Sequence, residues 1–145
     1  MKYYLDSCIW LNLLKKEGDA SKGKPYWKIA EDFISRVMFS EDEEILYSDF
    51  VLKEIEVKLE NKKLFEERKA FLEEEMKFIS IKAAERDYAF ARKLESKLMY
   101  ELSFYDCMHI AICKRLDLIL VTRDKDLIKF AKKFVIVKRP ENLII

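Results

Sequence analysis

Three aspartates in this sequence occupy positions at which α/β proteins commonly bind ligands. Asp6 ends the first strand-like segment, Asp124 follows the apolar segment Leu118–Val121, and Asp106 lies at the start of an amphipathic helical segment. In open α/β sheets, ligands bind in the crevice outside the carboxyl ends of the strands. Two carboxylates about 4 Å apart repel by roughly 4 kcal/mol at an effective dielectric near 20. Because hard oxygen ligands without paired thiolates suit Mg²⁺ or Mn²⁺, the pattern predicts a divalent-metal site.

Length and composition limit the classes of protein to which the chain can belong. The 145 residues are expected to form a single domain over 1–145. The 28 basic and 27 acidic residues leave a formal charge of +1, so net charge does not indicate a nucleic-acid partner and any basic surface must be local. The three cysteines form no C-x-x-C pair, and no apolar run is long enough to span a membrane. These features predict a cytoplasmic protein.

Strand-like and helix-like segments alternate along the chain and would position the three aspartates. Such alternation predicts an α/β fold with three layers, in which helices cover both faces of a central parallel sheet. Ser48 is expected to cap its helix, and the polar segment 17–24 is expected to form a loop. A charged helical hairpin is expected to follow residue 59, anchored by Leu64, Phe65, Phe71 and Leu72. The predicted strands are 2–6, 45–47, 78–81, 118–121 and 134–137, and the other predicted helices are 8–16, 25–37, 48–59, 83–98, 104–115 and 125–133.

Four short motifs resemble those of the PIN domain and, within that family, the VapC-type toxin ribonucleases. They are Leu5–Ser7, Ser48–Glu54, Phe104–Asp106 with Ile110 and Ala111 following, and Val121–Asp124. Together they span nearly the whole chain. The resemblance implies a sheet with strand order 3-2-1-4-5 and a metal-dependent endoribonuclease that cleaves single-stranded or structured RNA. It also implies a cognate antitoxin protein that blocks the site, and a homodimer.

The resemblance also implies a role for individual residues. Asp6, Glu54, Asp106 and Asp124 would be the catalytic acids that bind Mg²⁺ or Mn²⁺. Ser7 would orient the Asp6 carboxylate, Thr122 would do the same near Asp124, and Asp126 would add an outer carboxylate. A bound divalent cation lowers the pKa of its water and offsets the charge that develops on the phosphate during hydrolysis.

Simpler explanations exist for each acidic residue taken alone. Asp6 and Asp124 could cap the helices that follow them, and a carboxylate at Asp106 favours the helix dipole. Capping does not explain why the three would gather at one edge of the sheet, as the topology requires. The buried side of the third predicted helix leaves Glu54 and Glu56 on its two flanks, so periodicity does not choose between them. The resemblance favours Glu54.

Two further features remain open to a structural explanation. His109, the one histidine, follows Asp106 by three residues, and a lone histidine there is more often packed or exposed than catalytic. Arg123, Lys125 and Lys129 could form a rim that contacts RNA phosphates, or an ordinary solvated helix face.

A different class of function is a catalytically silent PIN-like module that binds RNA or protein. The presence of all four acids in the family pattern favours the endoribonuclease instead. A haloacid-dehalogenase-type phosphatase would need Asp-x-Asp after the first strand, and Cys8 occupies the second of those positions. The resemblance therefore implies a metal-dependent endoribonuclease, the toxin of a VapBC-type toxin–antitoxin pair.

Overall fold

The computed structural model describes residues 1–144, in which strands and helices alternate around one sheet. Short 3₁₀ turns occur at Ala20–Lys22 and Pro140–Asn142. Within the described range, no helix is long and apolar enough to cross a membrane. The strands are β1 (Lys2–Leu5), β2 (Glu44–Tyr47), β3 (Phe78–Ser80), β4 (Ile119–Val121) and β5 (Val137–Lys138). The helices are α1 (Ser7–Leu14), α2 (Tyr26–Met38), α3 (Asp49–Leu59), α4 (Lys62–Glu74), α5 (Glu85–Lys97), α6 (Phe104–Leu116) and α7 (Lys125–Ala131).

The sheet is entirely parallel and has the order β3-β2-β1-β4-β5, which confirms the predicted order 3-2-1-4-5. β1 lies at its centre, where Tyr3 pairs with Ile45 of β2 and Ile119 of β4. A central parallel strand is covered on both faces, so it reads as a continuous apolar run. Accordingly, Tyr3, Tyr4 and Leu5 of β1 are all buried.

Successive residues of β1 face opposite sides of the sheet and contact different helices. The ring of Tyr3 packs edge-on against Phe33 of α2, with centroids 5.1 Å apart. The ring of Tyr4 lies 5.3 Å from that of His109 in α6. These contacts place α2 and α6 on opposite faces and confirm the predicted three-layer α/β/α fold.

α6 carries Asp106 and His109, and a buried ion pair holds this helix against α5. Nε of Arg115 donates to both carboxylate oxygens of Asp87 at 2.9 Å. The carboxylate also accepts from the backbone N–H of Ala84 at 2.8 Å, ahead of α5. Because Asp87 is almost fully buried, loss of Arg115 would leave an uncompensated charge and destabilise this helix pair.

Two local predictions were wrong, and a third was correct in position only. The predicted helical hairpin is the single helix α4, because no glycine or proline interrupts Lys62–Glu74. The predicted strand 134–137 is instead the short β5, because the N–H groups of Phe134 and Val135 bond to Ala131 and complete the end of α7. Ser48 occupies the N-cap position of α3, as predicted, but its side chain makes no capping hydrogen bond, because its hydroxyl bonds to Tyr4.

Candidate metal centre

Three carboxylates and one imidazole meet where β1 ends. Asp6, Glu54, Asp106 and His109 each offer one ligand atom, and these atoms all lie within 4.8 Å of one another. Asp6 follows β1, Glu54 lies in the second turn of α3, and Asp106 and His109 share one face of α6. The topology therefore gathers side chains that are far apart in sequence. We refer to these four residues as the acidic cluster.

Asp6 is held in one orientation by two hydrogen bonds. The backbone N–H of Ser7 donates to Oδ1 at 2.8 Å, and the hydroxyl of Thr122 donates to Oδ2 at 2.9 Å. All three residues are buried. Because β1 pairs with β4, Thr122 comes directly alongside Asp6. The Asp6 carboxylate is thus fixed by its own strand end and by the neighbouring one.

Glu54 lies against a histidine that is inaccessible to solvent. Nε2 of His109 is 2.5 Å from Oε1 of Glu54 and 3.7 Å from Oδ1 of Asp6. Burial lowers the pKa of His109, but the bond to Glu54 and the charges of Asp6, Glu54 and Asp106 together raise it above the ordinary value. Glu56, the alternative ligand on α3, instead pairs with Lys53 at 3.0 Å on the outer side of the helix.

The electrostatics of the cluster appear most clearly at Asp106. Burial and the negative charge of Asp6 raise the pKa of Asp106 to about 7, with further contributions from Glu54 and Asp124 that His109 opposes. A carboxyl group with such a pKa is only partly ionised near neutrality. A divalent cation among these oxygens would stabilise the ionised form.

The residues present fit a hard divalent cation. Carboxylate oxygens are the preferred ligands of Mg²⁺ and suit Mn²⁺. Asp6, Glu54 and Asp106 supply such oxygens within one short distance range. The site has the ligands, the burial and the excess negative charge that binding such an ion requires.

Comparison with protein families identifies the domain. The family model described as "PIN domain" matches residues 3–133, which include the acidic cluster, most of β1 and all of β2 to β4. The chain belongs to the PIN domain family. This match confirms the family resemblance predicted from the four motifs. No curated protein sequence matches the chain.

Solved structures with the same fold cover nearly the whole of this PIN domain. VapBC2 of Rickettsia felis, bound to a DNA fragment from the promoter, has a TM-score of 0.69 and 16% identity over 96% of this chain and 98% of its own. A toxin–antitoxin complex from Klebsiella pneumoniae has a TM-score of 0.64 and 18% identity over 95% and 97%, respectively. FitAcB of Neisseria gonorrhoeae has a TM-score of 0.59 and 18% identity over 97% and 98%. At such identities, the likeness establishes the fold.

Asp124 lies outside the acidic cluster of this PIN domain. Its Oδ1 accepts from the backbone N–H groups of Asp126 and Leu127 at 2.9 and 3.2 Å, so it caps α7. Its charge nevertheless contributes to the raised pKa of Asp106. Asp126 contacts Asp124 through its backbone and not through its carboxylate. Metal binding by Asp124 and an outer role for Asp126 remain predictions.

Ser7 and Thr122 contact the acids in a way that differs in detail from the prediction. Ser7 orients Asp6 through its backbone N–H, a contact that does not depend on a serine side chain. The hydroxyl of Thr122 donates to Asp6 and accepts the backbone N–H of Asp124 at 3.1 Å. Thr122 therefore connects Asp6, which follows β1, with Asp124, which lies beyond the end of β4.

The three basic residues predicted to contact RNA lie in different environments. The guanidinium of Arg123 lies 4.1 Å from the ring centroid of Tyr26, and its Nη1 donates to Glu141 at 2.9 Å. These contacts give Arg123 a structural role, since they join the end of β4 to α2 and the C-terminal turn. Lys125 and Lys129 are exposed on α7. RNA binding by the three residues remains a prediction.

His109 is the member of the cluster that sequence reasoning did not assign to the site. Its spacing of three residues from Asp106 places the two side chains side by side on a helix. The signal was therefore present in the sequence. What the spacing could not show is that Glu54 of α3 approaches the same imidazole.

Proposed function

We propose that this PIN domain is an endoribonuclease that depends on Mg²⁺ or Mn²⁺ and serves as the toxin of a VapBC-type toxin–antitoxin pair. The observation that carries the proposal is the convergence of Asp6, Glu54 and Asp106 at the carboxyl end of β1, within 4.8 Å of one another. Within residues 1–144, the ion-pair partner of Asp6 and Glu54 is His109 and not a lysine or arginine. Three acids grouped in this way are costly to bring together without a cation. The structures of VapBC and FitAB complexes with the same fold support the assignment to a toxin.

The residues of the chain would divide the work of phosphodiester hydrolysis between them. Asp6, Glu54 and Asp106 would hold the cation, and Asp124 would supply a fourth carboxylate. When bound, the cation supplies the acidity that activates water and offsets negative charge on the phosphate. Thr122 and Ser7 keep the Asp6 carboxylate in position. Lys125 and Lys129 would contact RNA phosphates beside Asp124.

Cleavage of RNA tests this proposal. A mixed-sequence single-stranded RNA and a structured RNA would be incubated with the native chain and Mn²⁺, Mg²⁺ or EDTA. We expect internal cleavage with either cation and none with EDTA. Absence of cleavage together with absence of Mn²⁺ binding by calorimetry would contradict the proposal and favour a silent binding module. Bound Mn²⁺ without cleavage would indicate that the RNA supplied lacks the target sequence.

An apolar groove between α1 and α4 suits the helix of an antitoxin. The groove has a volume of about 340 Å³ and is lined by apolar and charged side chains, namely Trp10, Leu13, Leu14, Phe71 and Leu72 together with Lys16, Glu31 and Arg68. Phe71 is 56% exposed although it belongs to this apolar wall. An amphipathic helix binds such a groove through its apolar face. Because the fold neighbours include a toxin–antitoxin complex, we propose that the cognate antitoxin occupies it.

The Phe71→Glu variant is expected to bind the antitoxin with an affinity at least about 30-fold weaker than that of the native chain. A buried aromatic contact commonly contributes about 2 kcal/mol or more to the free energy of binding. The measurement is calorimetric titration with the antitoxin that copurifies with the native chain. Phe39→Glu is the matched control, because Phe39 is 90% exposed and lies outside the groove. Equal loss in both variants, or unchanged affinity for Phe71→Glu, would contradict the groove assignment.

We also propose that the chain forms a homodimer, as the family resemblance implies. Size-exclusion chromatography with light scattering at micromolar concentration is expected to give about twice the chain mass of 17.4 kDa. A monomer at all accessible concentrations would contradict this prediction.

A further inference from the structure

A chain of hydrogen bonds between buried side chains leads from Ser48 into the acidic cluster. The hydroxyls of Ser48 and Tyr4 are 2.6 Å apart, and the Tyr4 hydroxyl is 2.7 Å from Nδ1 of His109. Nε2 of His109 is in turn 2.5 Å from Oε1 of Glu54. Ser48, Tyr4 and His109 are each at most 1% exposed. None of these three residues belongs to the predicted set of metal ligands.

The contact between His109 and Glu54 determines where one proton lies. At 2.5 Å, a carboxylate oxygen and an imidazole nitrogen must share a proton, since both would otherwise present lone pairs. A neutral imidazole would donate from Nε2 to Glu54 and accept the Tyr4 hydroxyl at Nδ1. A charged imidazole would donate from both nitrogens. With Glu54 ionised, Nε2–H donates to Glu54 in both states, and this nitrogen is then not free to bind a cation.

Glu54 needs such a contact more than the other acids do. Asp6 is fixed by Ser7 and Thr122, whereas Glu54 has a longer side chain that can turn away from neighbouring negative charges. The Glu54 side chain is only 15% exposed, so its carboxylate lies in the cluster and not in solvent. The donor at His109 holds one oxygen, and the other oxygen remains available for the cation.

We propose that His109, supported by Tyr4 and Ser48, is a positioning residue that fixes Glu54 for cation binding and is not itself a ligand. The inference deepens the proposed function and rests on it in one respect, the assignment of Glu54 as a ligand. A residue that orients a ligand in this way typically changes metal affinity 10- to 100-fold when it is removed.

Calorimetric titration with Mn²⁺ tests the proposal. His109→Leu is expected to weaken Mn²⁺ binding by about 10- to 100-fold. His109→Gln retains an N–H donor and is expected to stay within about threefold of the native chain, because the donor and not the imidazole is required. Tyr4→Phe removes one hydroxyl without changing the ring and is expected to fall between the two. Met108→Leu, also at a fully buried position of α6, is the packing control and should match the native chain.

Each other outcome overturns the proposal in a different way. Equal affinity in His109→Leu and the native chain would reduce His109 to a packing role. Equally weak binding in His109→Gln and His109→Leu would make the imidazole nitrogen a direct ligand. No Mn²⁺ uptake by the native chain would overturn the proposed metal site itself, and with it any positioning for a cation.

Nuclear magnetic resonance of the metal-free chain supplies a readout that does not depend on bound metal. We expect an imidazole Nε2–H proton that exchanges slowly with water, because His109 is fully buried. Its resonance should move in Glu54→Gln and stay unchanged in Glu56→Gln, the matched variant on the same helix. A rapidly exchanging proton, or one indifferent to Glu54→Gln, would overturn the hydrogen bond on which the proposal depends.

Discussion

Asp6→Asn, Glu54→Gln and Asp106→Asn are each expected to reduce the rate of metal-dependent RNA cleavage by at least about 100-fold. Each change keeps the size of the side chain and removes one negative charge from the acidic cluster. A loss of about 3 kcal/mol in the stabilisation of the transition state corresponds to a rate decrease of that order. The measurement is the single-turnover cleavage rate at saturating Mn²⁺ and near-neutral pH.

Two matched variants separate the loss of a ligand from a general loss of charge. Asp117→Asn changes the same group at the opposite end of α6, where a left-handed backbone conformation (φ 55°) accommodates asparagine. Glu56→Gln changes the neighbouring acid on α3, which pairs with Lys53. Both should cleave at the native rate. A comparable rate loss in Glu56→Gln and Glu54→Gln would contradict the choice of Glu54 as the ligand on α3.

Asp106 is expected to lower the stability of the metal-free chain as the pH rises from about 4 to about 7. The pKa of Asp106 is 3.8 in the unfolded chain and about 7 in the folded one, so the folded state binds more protons in this interval. Its contribution is therefore fully present below the unfolded pKa and is lost as the pH approaches the folded value. A shift of this size corresponds to about 4 kcal/mol.

Urea denaturation in EDTA measures this effect as the difference in free energy of unfolding between the native chain and Asp106→Asn. The difference should favour the variant increasingly up to pH 7 and then stay constant. Asp117→Asn, at an exposed carboxylate of the same helix, should show no such trend. Mn²⁺ at 100 times its dissociation constant should restore about 2.7 kcal/mol to the native chain at pH 8. A pH-independent difference would mean that Asp106 is not crowded by its neighbours.

Residue patterns alone predicted the apolar strands and the position of Asp6, whereas the strand order and the choice of Glu54 rested on the family resemblance. Parallel strands covered on both faces must be apolar throughout, so β1, β2 and β4 stand out in a chain rich in charged residues. An acid placed directly after such a strand must lie at its carboxyl end. Asp6 therefore falls at the predicted edge of the sheet, and the structure places Asp106 of α6 beside it.

Features that depend on contacts between distant elements could not be predicted in the same way. Ser48 has the type and position of a helix cap, but its hydroxyl bonds to Tyr4 of another strand. The contacts of the Arg123 guanidinium with Tyr26 and Glu141 likewise join residues that are far apart in sequence. In each case, the partner lies close only in the folded chain, so the residue type alone could not indicate it.

The most direct test of the account is an anomalous-diffraction experiment on crystals soaked in Mn²⁺. The account predicts a manganese peak bound by carboxylate oxygens of Asp6, Glu54 and Asp106, with His109 Nε2 donating to Glu54 and outside the coordination sphere. The same crystals of Asp6→Asn should lack the peak. A manganese ion bound elsewhere, or an acidic cluster that stays free of metal at saturating Mn²⁺, would contradict the assignment of these acids to a metal-dependent nuclease.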